Sequence, residues 1–362
     1  MDIKKLIRPE LVTMKSYVAI EPTEVLSQRA KLPLRKVIKL DGNENPYGCS
    51  PKVYQALATY PYYHNYPDPE QRELRKALEG YTGLSRNHIV CGMGSDELID
   101  LILRLFLKAG DEVINCPPTF GMYPFSADVC GGRVVNVPRT KRFGLDIAGI
   151  KKALTRRTKV IFIASPNNPT GNTSSEKEIV KLVDAGRIVV VDEAYFEFSA
   201  VTVANLVPSC PNLIVLRTFS KWAGLAGLRI GYGLFPVEIA DYLMKIKQPY
   251  NANAAAQAAV LASLADMEYL RANVARIVRE RERLFGRLKE MDWLRPYPSE
   301  ANFILCSLPR GEAREVWQRL RMKGIFVRYF DAPLLKDCLR ISVGRPEHTN
   351  ALVKVLKEVK HG

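Results

Sequence analysis

The chain has 362 residues, 47% hydrophobic and 25% charged, the balance of an ordinary soluble globular protein with room for two domains. No apolar run approaches the ~20 residues of a membrane helix, and Met1-Asp2-Ile3-Lys4-Lys5 has neither a secretory core nor a transit-peptide character, so a cytoplasmic protein is expected. The formal charge of +15 asks for an anionic partner, nucleic acid or a phosphorylated small molecule; no Lys/Arg block carries interleaved aromatics, which leaves nucleic-acid binding a remote alternative.

Residues 1–35 lack a clear period and predict an arm with a short helix. A strand at 37–40 leads into the loop Asp41-Gly42-Asn43-Glu44-Asn45-Pro46-Tyr47-Gly48. Ser50-Pro51 starts a helix with a capping hydroxyl and a proline in its first turn. Asp68-Pro69-Glu70-Gln71 repeats that device, with a capping-box spacing to Gln71, for a helix running to about Gly80. Strands follow at 88–91, 112–116, 133–137, 159–164, 188–191, 213–217 and 228–233, most of them separated by helical patterns, including an amphipathic one at 97–108. This alternation predicts crossover connections and a mostly parallel sheet with helices on both faces.

After about Lys245 the texture changes. An Ala-rich helix at 252–265 and a charged helix over roughly 266–292, expected to be solvent-exposed, precede strands at 302–307, 325–328 and 338–343 with helices at 312–323 and from 347. The expected division is an arm (1–35) packing with the small domain, a large three-layer αβα domain (36–245) and a smaller α+β domain (246–362). Seven widely spaced cysteines form no Cys-x-x-Cys pair and the four histidines (His64, His88, His348, His361) do not cluster, so neither disulfides nor a metal site is expected.

Ligands of open parallel sheets sit at the carboxyl ends of the strands, and four segments there carry chemistry. Val90-Cys91-Gly92-Met93-Gly94-Ser95-Asp96-Glu97 reads as strand, glycine loop and helix start, an anion site made of backbone N–H groups; a plain helix cap by Ser95 or Asp96 explains it equally well. Ser165-Pro166-Asn167-Asn168-Pro169-Thr170-Gly171 is an irregular loop presenting amide side chains. Val189-Val190-Val191-Asp192-Glu193-Ala194-Tyr195 puts two acids after an apolar strand; magnesium coordination is the competing reading, without a Walker A partner. Lys221, in Arg217-Thr218-Phe219-Ser220-Lys221-Trp222, sits among small and apolar residues. Loss of hydration there lowers the ammonium pKa and frees the amine to attack a carbonyl, whereas a solvated lysine at a strand end is the plain alternative.

Taken together, Asn168-Pro169-Thr170-Gly171, Asp192-Glu193-Ala194-Tyr195 and Ser220-Lys221 through Arg229 resemble the fold-type I pyridoxal-phosphate aminotransferases. Within them the chain is similar to the histidinol-phosphate aminotransferases, through Leu40-Asp41-Gly42-Asn43-Glu44-Asn45-Pro46-Tyr47-Gly48, Tyr66-Pro67-Asp68-Pro69, Cys116 to Tyr123, Lys247-Gln248-Pro249-Tyr250-Asn251, Ala301-Asn302-Phe303-Ile304-Leu305 and Leu339-Arg340-Ile341-Ser342-Val343-Gly344. The strings span residues 15–350. The resemblance implies pyridoxal 5′-phosphate as cofactor, with Lys221 bonded to it and moving the proton between substrate Cα and cofactor. It implies Asp192 at the pyridine nitrogen, Tyr195 and Asn168 at the ring oxygen, and Phe120, where many relatives have Tyr, stacked on the ring. The phosphate cradle would take Gly94, Ser95 and Asp96 with Thr218, Ser220 and Arg229, and Tyr66 would reach it from the other subunit of a homodimer. Arg340 would bind a substrate carboxylate, with Arg328 and Tyr17 around the substrate phosphate and Asn168 also touching the substrate; Met14-Lys15-Ser16-Tyr17 departs from the usual Ser-Pro-Tyr. Trp222, beside the lysine, is expected to reshape the pocket wall. The implied reaction is transamination between histidinol phosphate and 2-oxoglutarate, the alternatives being an aromatic or broad-specificity aminotransferase and a phospho-amino-acid decarboxylase.

Overall fold

The computed structural model describes residues 1–360, so His361 lies outside the described residues. Its strands divide between two sheets. The smaller sheet takes the first strand, β1 (Ile38–Leu40). The larger takes the next seven: β2 (Ile89–Gly92), β3 (Glu112–Asn115), β4 (Arg133–Asn136), β5 (Thr158–Ala164), β6 (Ile188–Asp192), β7 (Leu213–Thr218) and β8 (Gly231–Leu234). The last four, β9 (Arg295–Pro296), β10 (Phe303–Ser307), β11 (Ile325–Tyr329) and β12 (Cys338–Ser342), return to the smaller sheet.

The larger sheet has the order β2-β8-β7-β6-β5-β3-β4 and is parallel except for β8, which runs against both its neighbours. Its central strands are apolar end to end because helices cover both faces. Ile161, Val189 and Val215 pack on one side, Val160, Val190 and Ile214 on the other. This is the expected mostly parallel three-layer architecture. β1 is the exception to its expected place: it pairs in parallel with β11, about 285 positions on, and so joins the smaller sheet. The two-residue β9 carries no apolar alternation and is found only through its pairing with β10.

Local signals hold where the chain can satisfy them nearby. Ser50 caps the helix Pro51–Thr59, its Oγ accepting from Lys52 N. The expected capping box at 68–71 does not form. Asp68 Oδ2 accepts from Arg72 N at 2.8 Å, the helix runs Arg72–Thr82, and Gln71 takes a left-handed φ of 53°. The Gln71 amide is instead drawn to the edge of the larger sheet. Its Oε1 accepts from Cys91 N and its Nε2 donates to Cys91 O, both at 3.0 Å, as a neighbouring strand would. The charged helix runs Met267–Lys289 and is not wholly exposed. Glu280 and Arg281 are buried, the first held by Arg283 and the second donating to Ala301 O. The arm touches both sheets' surroundings. Residues 9–12 lie against the helix Met122–Val129 of the larger unit and Tyr17 packs edge-on against Phe125, whereas Val18 O accepts from Arg328 of β11.

Replacing Gln71 by Ala strands the buried Cys91 N–H, and the cost of an unmet buried donor is about 1–3 kcal/mol. Equilibrium urea unfolding of Gln71→Ala is expected to show a loss in that range with an unchanged slope; no loss would mean that the sheet edge is satisfied otherwise.

Candidate active site

The carboxyl ends of β5, β6 and β7 lie in register, Ala164 beside Asp192 and Asp192 beside Leu216. Each strand therefore delivers its terminal residues to one cavity of about 570 Å³. Asn168 arrives after β5, Asp192 and Tyr195 from β6, and Thr218, Ser220 and Lys221 from β7.

Asp192 and Glu193 part company, because successive residues of an extended chain face opposite ways. Glu193 turns into the protein, where its Oε2 accepts from Arg217 Nε at 3.0 Å and Nη2 at 2.9 Å and its Oε1 from Val203 N at 2.8 Å. Asp192 faces the cavity and meets neutral donors only: Tyr123 OH donates to Oδ2 at 2.7 Å and Ala194 N to Oδ1 at 3.0 Å. Burial pushes its carboxyl up to about 6, against the opposing pull of the Tyr123 hydrogen bond. A buried carboxylate so placed is stabilised by any cationic N–H that enters the cavity.

Lys221 Nζ donates to the Gly42 carbonyl at 3.1 Å. Burial, and then the neighbouring Arg340, push its ammonium down to about 8, while Glu44 and Asp96 pull the other way. Trp222 does not reach the cavity. It is 1% exposed and stacks on Tyr81 at 5.5 Å with an 11° tilt, so the residue after the lysine belongs to the core and the expected change to the pocket wall does not occur.

The helix Gly94–Phe106 starts without a side-chain cap, so neither Ser95 nor Asp96 plays that part. Its first N–H groups are left for a ligand. Two glycines let the surrounding parts close up. A Cβ on Gly94 (φ +75°) would lie 2.7 Å from Arg229 Nη2, and one on Gly231 would lie 2.6 Å from Ser95 N. Thr218 Oγ1 donates to Ser220 Oγ at 2.9 Å, and Arg229 Nη2 pairs with Asp96 Oδ2 at 2.8 Å on the open side.

Arg340 enters from β12 of the smaller sheet. Its Nη1 donates to Asn168 Oδ1 at 2.6 Å and its Nη2 to Asp41 O at 2.5 Å, while its buried Nε has no partner among the described residues. Burial lowers its pKa first, and Arg328 adds to the effect. Arg328 stands directly opposite on β11. Like charges facing each other across antiparallel strands are unfavourable, and an anion lying between them removes that cost. Asn43 joins the two sheets at this point, in a left-handed conformation (φ 52°). Its N and Oδ1 engage Ser342 Oγ at 2.9 and 2.8 Å, its O accepts from Asn302 Nδ2 at 2.9 Å, and its Nδ2 donates to Tyr195 OH at 2.9 Å.

Of the remaining residues expected at the site, Ser95, Asp96, Phe120, Tyr17, Arg229 and Arg340 also line the cavity, with Gly94 beneath Arg229. Arg328 stands behind Arg340 and Tyr66 lies outside, 81% exposed and stacked on Tyr250 at 4.4 Å. Tyr123, Asn43 and the Gly42 carbonyl were not singled out from the sequence. Each sits within a string that carries the resemblance, yet nothing in residue type or spacing separates them from their neighbours.

Comparison with known proteins bears on this geometry. The profile of aminotransferase class I and II matches residues 35–358. A histidinol-phosphate aminotransferase of Dehalococcoides mccartyi is 53% identical over 358 residues, 99% of either chain. A chloroplastic one of Arabidopsis thaliana is 47% identical over 97% of this chain and 85% of its own. Among solved structures, histidinol-phosphate aminotransferase of Sinorhizobium meliloti in complex with pyridoxal-5′-phosphate superposes with a TM-score of 0.89 at 29% identity, covering 98% of this chain and 97% of its own.

A lysine pKa lowered to about 8 means that the protonated form is disfavoured, so Lys221 becomes neutral more than two pH units below an exposed lysine at ~10.4. Competitive acetylation of cofactor-free protein, read by mass spectrometry, is expected to show Lys221 labelling with a midpoint near pH 8. A midpoint above 10 would contradict the desolvated site.

Proposed function

The chain belongs to the class I and II aminotransferases, and on that premise we propose that it moves an amino group between histidinol phosphate and 2-oxoglutarate, giving imidazole-acetol phosphate and glutamate, the transamination of histidine biosynthesis. The observation that carries this reading is the pair Asp192 and Lys221 in one cavity, a carboxylate with neutral partners and an amine of lowered pKa, with Arg340 and Arg328 set against each other beside them.

The residues fit pyridoxal 5′-phosphate. The capless helix start with Ser95, Ser220 and Arg229 offers a phosphate cradle that a Cβ at Gly94 or Gly231 would fill. The Arg229–Asp96 pair is exposed and correspondingly weak, so the guanidinium can turn its fork to a phosphate. Asp192 would hold the ring nitrogen protonated, and Tyr123 keeps that carboxylate aimed. Tyr195, oriented by Asn43, and Asn168, held by Arg340, would hydrogen-bond the ring oxygen, with Phe120 against the ring face. When bound, the cofactor supplies an electron-accepting ring conjugated to the carbon that receives the amino group.

Lys221 then does two things. It would hold the cofactor at its carbonyl carbon, and its neutral amine, once freed, would move the proton between the substrate Cα and the cofactor carbon that receives the amino group. Its low pKa suits both duties near neutral pH. Arg340 binds the α-carboxylate of glutamate; Arg340 and Arg328 together, with Tyr17, bind the phosphate of the other substrate. Arginine forks suit both anions. The protein works as a homodimer in which Tyr66, exposed here on its platform with Tyr250, reaches the phosphate of the neighbouring subunit.

Lys221→Ala is expected to lose the yellow colour of the lysine-bound cofactor and to lower turnover by at least about 100-fold, the lower end of what a positioned acid–base group contributes. Retained colour and turnover would remove Lys221 from its role. In a substrate panel with purified protein, kcat/KM for histidinol phosphate should exceed that for phenylalanine or tyrosine. Turnover of the aromatic amino acids alone would overturn the substrate while leaving the family intact, and carbon dioxide release without a keto-acid partner would identify a decarboxylase.

A further inference from the structure

One carboxylate on the cavity wall has no part in the chemistry above. Glu44 lies on the loop after β1, beside Gly42 and Asn43, and its side chain is 46% exposed toward the opening. Its Oε2 accepts from Lys39 Nζ at 2.7 Å, and the same ammonium meets Asp41 Oδ1 at 3.1 Å. Two carboxylates on one ammonium leave this wall with a formal charge of −1. Lys221 and Arg340 border the same loop, donating to the Gly42 and Asp41 carbonyls, and Arg229 also lines the cavity.

The acidic corner is also shaped. The side chains close over Gly42: a Cβ there would lie 2.7 Å from Ile20 Cδ1, 2.9 Å from Lys39 Nζ and 3.1 Å from Glu44 Cδ. Ile20 lies against this loop, and Tyr17 lines the same cavity. An apolar surface next to a carboxylate suits a flat ring that has an N–H on its edge. It does not suit the γ-carboxylate of glutamate, which Glu44 repels. A phenyl ring would fill the corner yet cover Glu44 without offering it a donor, and the missing hydrogen bond disfavours it.

We propose that Glu44 accepts a hydrogen bond from the imidazole N–H of the substrate and so selects an imidazole over a phenyl ring. This rests on the histidinol-phosphate reading. Lys39 pairs with the carboxylate at the opening, and Arg340 and Arg229 in the same cavity offer partners to the anionic end of the substrate.

The test compares Glu44→Leu and Glu44→Gln with the unsubstituted holoenzyme on histidinol phosphate, its phenyl analogue 2-amino-3-phenylpropyl phosphate, and glutamate. A hydrogen bond to a charged group makes the expected loss on histidinol phosphate about tenfold or more in kcat/KM for both variants, with the phenyl analogue unchanged or improved in Glu44→Leu and glutamate within about twofold. The cofactor's visible spectrum should stay as in the unsubstituted enzyme, which shows that the fold and the lysine site are intact. Equal losses on all three substrates, or no loss on histidinol phosphate, would overturn the Glu44 assignment. Failure of the unsubstituted enzyme to turn over histidinol phosphate at all would overturn instead the activity on which it rests.

Discussion

Two adjacent carboxylates at the end of β6 receive opposite treatment, and the site depends on that difference. Glu193 is given a guanidinium, two hydroxyl contacts and a backbone N–H, which is what a fully buried charge needs. Asp192 is given a hydroxyl and one backbone N–H, and burial leaves its carboxyl raised to about 6. The larger sheet tolerates this because its own stability rests on the apolar strands on either side, Val191 and Val215 among them. The protein therefore holds an incompletely compensated charge where a ligand's cationic nitrogen can complete it, while Arg217 is taken by Glu193.

The smaller sheet brings the complementary problem. Arg340 is buried with carbonyl oxygens for partners and an unmatched Nε, and Arg328 faces it across two antiparallel strands. Both arginines lie close to Asp41–Glu44, the segment that follows β1. Because β1 pairs with β11, that segment is carried by the smaller sheet, while Asn43 bonds it to Tyr195 of the larger unit. Anion binding between the arginines would thus act on the loop that also holds the Lys221 ammonium through the Gly42 carbonyl. On the proposed roles, substrate recognition and the reacting amine would share one small piece of backbone.

Much of this was legible before the structure, for a physical reason. Strands buried on both faces are written as continuous apolar runs, so β5, β6 and β7 and the residues after them could be found by position, and the cavity collects just those residues. What escaped depends on partners far away in sequence. The place of β1 is decided by Ile325–Tyr329, and the fate of Gln71 by the outer edge of β2 at Cys91. Trp222 is placed in the core by Tyr81 and Phe219, which no spacing rule connects to it. Tyr123 is a helix residue of ordinary type until the end of β6 is brought beneath it. Local pattern finds elements and strand ends; it does not say which side chain of a neighbouring pair turns toward the ligand.

The central claim is that Asp192 is held short of a cation so that the protonated ring nitrogen of the bound cofactor can supply it. A single-turnover measurement of the amino transfer from histidinol phosphate in the Asp192→Asn holoenzyme tests this most directly, since Asn keeps the size and can still accept from Tyr123 but cannot hold the nitrogen protonated. The account predicts that cofactor remains bound through the cradle around Ser95 and Arg229 while the transfer rate falls by about 100-fold or more. A rate close to that of the unsubstituted enzyme, with cofactor fully bound, would contradict it.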